Sequence, residues 1–137
     1  MDDCPFCKIA RGELPCLKIY EDALTLAFLD IARDADGHIL VISKRHAGNL
    51  LDCDTDTLCA IARTVQTVSA HLTDHCGFDG INLLHASGES AGQSVPHLHV
   101  HLLPRKKGDG LDAWPALPGA KRDIRDVHNE ITMLPDS

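Results

Sequence analysis

The sequence predicts an α+β architecture in which an antiparallel sheet of about five strands is backed by one long helix. Three stretches carry that expectation. His97-Leu98-His99-Val100-His101-Leu102-Leu103 alternates imidazole with aliphatic side chains, a period of two that a strand sorts onto two faces. On a helix His99 would turn away from His97 and His101. Residues 38–43, His-Ile-Leu-Val-Ile-Ser, form a nearly continuous apolar run, the pattern of a central strand covered on both faces. Over residues 54–76 the apolar side chains Leu58, Ile61, Ala62, Val65, Val68, Leu72 and Cys76 recur every three or four positions, which predicts the main helix.

The remaining elements follow in chain order. Cys4-Pro5-Phe6-Cys7 is a C-x-x-C that can chelate zinc if two further ligands arrive; ordinary thiols and a redox pair are the alternatives. Residues 9–15 read as a short helix closed by Gly12, with Pro15 unable to continue it. Residues 17–20 and 24–29 read as a hairpin turning at Glu21-Asp22-Ala23. Residues 32–37 form a polar loop. Asp54 or Thr55 caps the main helix and Gly77 ends it. His71 and His75 are expected on its solvated side, and Cys59 and Cys76 are expected to pack. Residues 81–86 make a fourth strand that feeds Ser87-Gly88-Glu89-Ser90-Ala91-Gly92-Gln93-Ser94, a small-residue loop able to turn backbone N–H groups toward an anion. Arg105-Lys106-Lys107 either neutralises phosphate or is simply solvated. A last helix is expected over residues 120–134 through Ile124, Val127 and Ile131.

Composition narrows the function. A chain of 137 residues, 44% hydrophobic, is expected to form a single domain over residues 1–137. A net charge of −7 argues against a nucleic-acid or membrane-surface binder, so any polyanion must be held by local groups. Six cysteines with no export signal at Met1-Asp2-Asp3 and no transmembrane-length run point to a cytoplasmic protein with free thiols or metal ligands. Nine histidines are many for this length. Same-face strand residues lie about 6.6 Å apart, which puts His97 and His101 about 13 Å apart at Cα. That row is too long for one ion and suits two adjacent sites.

Ala91-Gly92-Gln93-Ser94-Val95-Pro96-His97-Leu98-His99-Val100-His101-Leu102-Leu103-Pro104-Arg105 resembles the signature of the histidine triad (HIT) nucleotide hydrolases and transferases. The resemblance implies a HIT-like fold, a homodimer and a purine nucleotide substrate. It implies His99 as nucleophile, His101 as phosphate donor, His38 as a further active-site histidine and Ser94 beside the leaving atom. Asp30 is implied to bind the ribose, and Phe6, Phe28 and Ile31 to wall the base. Taken alone, Phe28 and Ile31 read as core, Asp30 as a turn residue and His38 as structural. Asn82, Gly92, Gln93 and Ser94 are implied to contact the nucleotide near its phosphate. In zinc-bearing relatives the C-x-x-C joins a histidine at the His46 position and the first triad histidine. Cys4, Cys7, His46 and His97 would then form a closed structural Zn2+ site, with no catalytic metal.

The implied reaction is hydrolysis at the α-phosphorus of an adenosine conjugate through a covalent nucleotidyl-histidine, with a phosphoramidate preferred. Diadenosine polyphosphate hydrolysis and a zinc-stabilised binding module with little turnover are the alternatives. A uridylyltransferase-like role is disfavoured because Leu98 stands where those relatives carry proline. A metalloenzyme using His97 and His99 lacks a carboxylate partner at a suitable spacing.

Overall fold

The computed structural model describes residues 3–135. Five strands, β1 (Lys18–Glu21), β2 (Thr25–Leu29), β3 (Ile39–Ser43), β4 (Gly80–Leu84) and β5 (His99–Arg105), form one sheet in the order β1-β2-β3-β5-β4. Every pairing is antiparallel. The helices are α1 (Pro5–Ala10), α2 (Thr55–His75) and α3 (Ile124–Ile131). No helix among the described residues is long and apolar enough to cross a membrane.

β3 lies at the centre with all five residues buried, as its unbroken apolar run predicts. Its alternate residues feed two separate cores. Ile39 and Val41 join Ala27, Leu98 and Leu102 beneath α2, which contributes Ile61, Val65, Val68 and Leu72. Leu40 and Ile42 join Leu26 and Phe28 on the opposite face, beneath Cys4, Phe6 and Cys7 of the α1 segment. Each large aliphatic side chain so buried contributes about 1.5–3 kcal/mol. The sheet is therefore locked between a long helix and a short one, and the short one sits on the imidazole side.

Local chemistry explains the boundaries. Asp22 Oδ1 accepts the N–H groups of Leu24 and Thr25 at 2.9 and 2.8 Å and pins the β1–β2 turn. Asp54 caps α2 by accepting Thr57 N–H at 2.7 Å, and Gly77 at φ +80° follows its last turn. The buried Thr64 of α2 meets Thr25 of β2 through their hydroxyls at 2.5 Å, a polar tie inside the stripe.

Several elements differ from the sequence expectation. The first helix spans Pro5–Ala10 rather than residues 9–15: Cys4 caps it, its Sγ accepting Cys7 N–H at 3.3 Å, and Pro5 takes the first position. Only the terminating role of Gly12, at φ +79°, holds. Cys59 and Cys76 are exposed rather than packed, because both fall off the buried edge of the α2 stripe. α3 is shorter than expected and buries none of its residues.

Candidate active site and metal cluster

β5 begins at His99, and His97 lies in the bend ahead of it, with Leu98 N–H bonded to the Ala47 carbonyl at 2.7 Å. The three rings nevertheless share one side of the sheet. Phe6 packs edge-on against both His97 and His99, with centroids 5.8 and 5.2 Å away, and His99 lies 5.1 Å from His101. Leu98 and Leu102 point to the other side, into the core under α2. Phe6 thus divides the row into two centres.

The first centre gathers Cys4, Cys7, His46 and His97, whose donor atoms all lie within 4.8 Å of one another. Cys4 Sγ is 3.2 Å from His97 Nδ1, Cys7 Sγ is 3.2 Å from His46 Nδ1, and the two Nδ1 atoms are 3.2 Å apart. His97 Nε2–H donates to the Ser43 carbonyl at 2.7 Å, so its Nδ1 presents a lone pair inward. Burial, helped by the facing His46 and His99, holds His97 below the ordinary imidazole pKa and keeps it neutral. Inward lone pairs and thiols at tetrahedral spacing fit a metal ion with no open position. The four sequence-implied ligands therefore form one cluster able to hold a metal.

The second centre is a cleft. A cavity of about 450 Å3 is lined by Phe6, Phe28, Asp30, Ile31, Ser94, His99 and His101, among others. Its lining combines apolar side chains with the Asp30 carboxylate, the Ser94 hydroxyl and both imidazoles. His99 is 7% exposed and donates Nδ1–H to the His97 carbonyl at 2.6 Å, leaving Nε2 as its basic atom. His101 Nδ1 lies 2.9 Å from His38 Nε2, and His38 Nδ1–H donates to Asp34 at 2.7 Å. Burial, then the neighbouring His99 and His38, push the His101 pKa down. The register fixes this row: His99 pairs with Ile42, and His101 lies between Leu40 and Leu84. Gly37, at φ +84°, lets the chain pass Pro104 just before His38; a Cβ there would come within 2.8 Å of the proline ring.

Other implied contacts lie elsewhere. Asn82 accepts Arg105 Nη1–H at 2.6 Å, and neither residue lines the cleft; Arg105 also pairs with Asp109 at 2.8 Å. Gln93 braces the loop rather than facing the cavity: its amide donates to the carbonyls of Gly48 and Val95 at 2.7 and 3.0 Å and accepts Gly88 N–H at 2.9 Å. Gly92, at φ +91°, sits in the turn after the single 3₁₀ turn Glu89–Ala91. The N–H groups of Ala91, Gly92 and Gln93 bond within that loop, so the expected anion cradle is partly spent on holding its own shape.

Two contributors escaped sequence reading. Asp34 looked like ordinary loop polarity, and only its position i−4 to His38 hinted at a partner. His85 donates Nδ1–H to the carbonyl of His99 itself at 2.8 Å and accepts from Ser87 Oγ at 2.6 Å. A second cavity of about 470 Å3 lies beyond His101, lined by Asp34, His38, His85, Ala91, His101 and Asp112, among others.

Comparison with known proteins agrees with this geometry. The HIT domain family matches residues 11–108. The chain is 38% identical over 131 residues to the adenosine 5'-monophosphoramidase hnt1 of Schizosaccharomyces pombe, covering 94% of this chain and 96% of that one. It is 41% identical over 116 residues to the adenylylsulfatase HINT3 of Arabidopsis thaliana, covering 85% of this chain but only 59% of the plant protein. The crystal structure of a member of the HIT family of proteins from Bacillus subtilis superposes with a TM-score of 0.80 at 37% identity, covering 98% of this chain and 99% of that one.

Proposed function

The chain belongs to the HIT family, and from that premise we propose that it hydrolyses adenosine 5'-phosphoramidates at the α-phosphorus through a covalent intermediate on His99. One observation carries the reading: the His97 carbonyl fixes the His99 proton on Nδ1, so a neutral Nε2 lone pair serves a cavity of nucleoside size. Nε2 attacks phosphorus in line, the N–P bond forms, and the bond from phosphorus to the leaving amine breaks with a proton going to that amine. Ser94 Oγ is the group suited to pass it. Water then cleaves the nucleotidyl-histidine and releases AMP.

His101 stabilises charge on a non-bridging oxygen. His38 Nε2 lies 2.9 Å from His101 Nδ1 and His38 Nδ1 is held by Asp34, so this chain orients the His101 ring with Nε2 free to face the phosphate. Asp30 takes the ribose hydroxyls; Phe6, Phe28 and Ile31 flank the base. The amine preference is supported by the second cavity, whose lining includes Asp34 and Asp112 and neither lysine nor arginine. Carboxylates there favour an ammonium over a polyphosphate. The yeast relative bears the name of such an activity.

Cys4, Cys7, His46 and His97 are proposed to hold structural Zn2+, which ties the start of α1 to the bend ahead of β5 and takes no part in the chemistry. A homodimer is proposed through edge strand β4, whose Leu83 makes an apolar shelf with Leu58, Ile61, Ala62 and Val65 of α2. An AMP–lysine conjugate, a diadenosine polyphosphate and adenylyl sulfate compared at equal concentration test the substrate. The amine conjugate is expected to show the highest kcat/KM by at least about tenfold, a discrimination near 1.4 kcal/mol. A preference for either anionic leaving group overturns the amine assignment.

A further inference from the structure

Asp30, His38 and His101 meet where the two cavities adjoin, with His101 lining both. His38 Nε2 lies 2.9 Å from His101 Nδ1 and 3.7 Å from Asp30 Oδ2, and the three donor atoms are all within 4.8 Å of one another. Metal–nitrogen and metal–oxygen bonds of about 2.0–2.2 Å at tetrahedral angles hold neighbouring donors about 3.3–3.6 Å apart. The two separations about His38 bracket that range, so small rotations direct all three groups at one ion.

The outer partners are already in place. Asp34 takes the Nδ1 proton of His38 at 2.7 Å and leaves Nε2 with its lone pair toward His101. A carboxylate behind an imidazole orients metal-ligating histidines and raises their basicity. The second oxygen of Asp30 accepts Ala32 N–H at 2.8 Å, which fixes that carboxylate. His38 is 7% exposed, so it offers Nε2 inward rather than to bulk water.

We infer that Asp30, His38 and His101 form a divalent transition-metal site, distinct from the cysteine–histidine cluster and open to the cleft, whose occupation inhibits the enzyme. Two imidazoles and one carboxylate suit Zn2+, Ni2+ or Cu2+ rather than Mg2+ or Ca2+, which take oxygen donors. The ion occupies the space of the proton otherwise shared between His38 and His101. It engages the ribose carboxylate and the phosphate-binding imidazole together, so metal and nucleotide exclude one another. Inhibition rests on the hydrolase reading; metal binding does not.

Zn2+ titrated calorimetrically into the parent chain, His38→Ala and Asp30→Ala tests the site. The parent is expected to take up one more equivalent per chain than either variant, with turnover falling as that equivalent fills. Asp34→Asn leaves the inner donors intact and is expected to weaken the extra site about 10–100-fold. It also keeps the test decisive where an alanine variant fails to fold. Equal stoichiometry in the parent and both alanine variants, or an unchanged affinity in Asp34→Asn, overturns the site. A chain that hydrolyses none of the three substrates yet shows the extra equivalent loses the hydrolase reading and keeps the site.

Discussion

His97 and His99 stand two positions apart on one side of the sheet, both buried, yet they offer opposite nitrogens. His97 gives its Nε2 proton to the Ser43 carbonyl and turns Nδ1 toward two thiols and His46. His99 gives its Nδ1 proton to the His97 carbonyl and keeps Nε2 as the base beside an open cavity. In each case a backbone carbonyl selects the tautomer, and the tautomer selects the role. Enclosure completes the contrast. Donors close around His97 and suit a static ion, whereas His99 has space in front of it and suits a reaction.

The sharpest way to break this contrast is His99→Ala, which removes only the proposed nucleophile. Turnover should fall about 10⁴-fold or more while calorimetric binding of AMP persists. Near-parental rates in that variant would end the assignment. At the other centre, Cys4→Ala with Cys7→Ala should abolish the proposed zinc binding and cost about 3 kcal/mol, or about 10 °C in Tm. Zinc retained by the double variant would show that the cluster does not close as described.

A smaller effect is expected at His85, which donates to the backbone carbonyl of the proposed nucleophile, His99. His85→Leu should lower kcat by about fivefold, near 1 kcal/mol for one hydrogen bond, with KM little changed. Gln can donate to the His99 carbonyl and accept from Ser87, so His85→Gln should restore most of that loss. A Gln variant as slow as the Leu variant would reduce His85 to a packing role.

Acidification should weaken both centres together. His97 and His101 have folded-state pKa values below the ordinary imidazole value. Below about pH 6.5 the unfolded chain therefore binds more protons than the folded one, and stability declines as pH falls through that range. A thermal midpoint that rises from pH 7 to pH 5.5 would contradict the burial of these two rings as neutral bases.

Much of this was legible in the chain. Period two around His99 placed the imidazoles on one side of a strand, and the unbroken run at 39–43 placed β3 at the centre. The C-x-x-C drew attention to a metal, but the same residues concealed a helix start, because Cys4 caps and Pro5 opens the turn. Asn82 and Gln93 illustrate the opposite limit. Their residue types suit phosphate contact, yet Arg105 takes the first and the backbone around Gly48, Gly88 and Val95 takes the second.

What the sequence determined by itself was face and period: which side chains line up along a strand, which stripe of α2 meets the sheet, and where a glycine must end a helix. These depend on dihedral geometry and on neighbours a few residues away. Tertiary structure decided which nitrogen His97 presents and which group backs the His99 carbonyl, whereas carbonyl and carboxylate partners only two and four positions away set the tautomers of His99 and His38. Ser43, Asp34 and His85 lie 54, 4 and 14 positions from the groups they bond, and for the two long separations no local pattern encodes that proximity. A hydrogen bond across the sheet exists only once the strands are in register. The chemistry of these imidazoles is therefore a property of the fold.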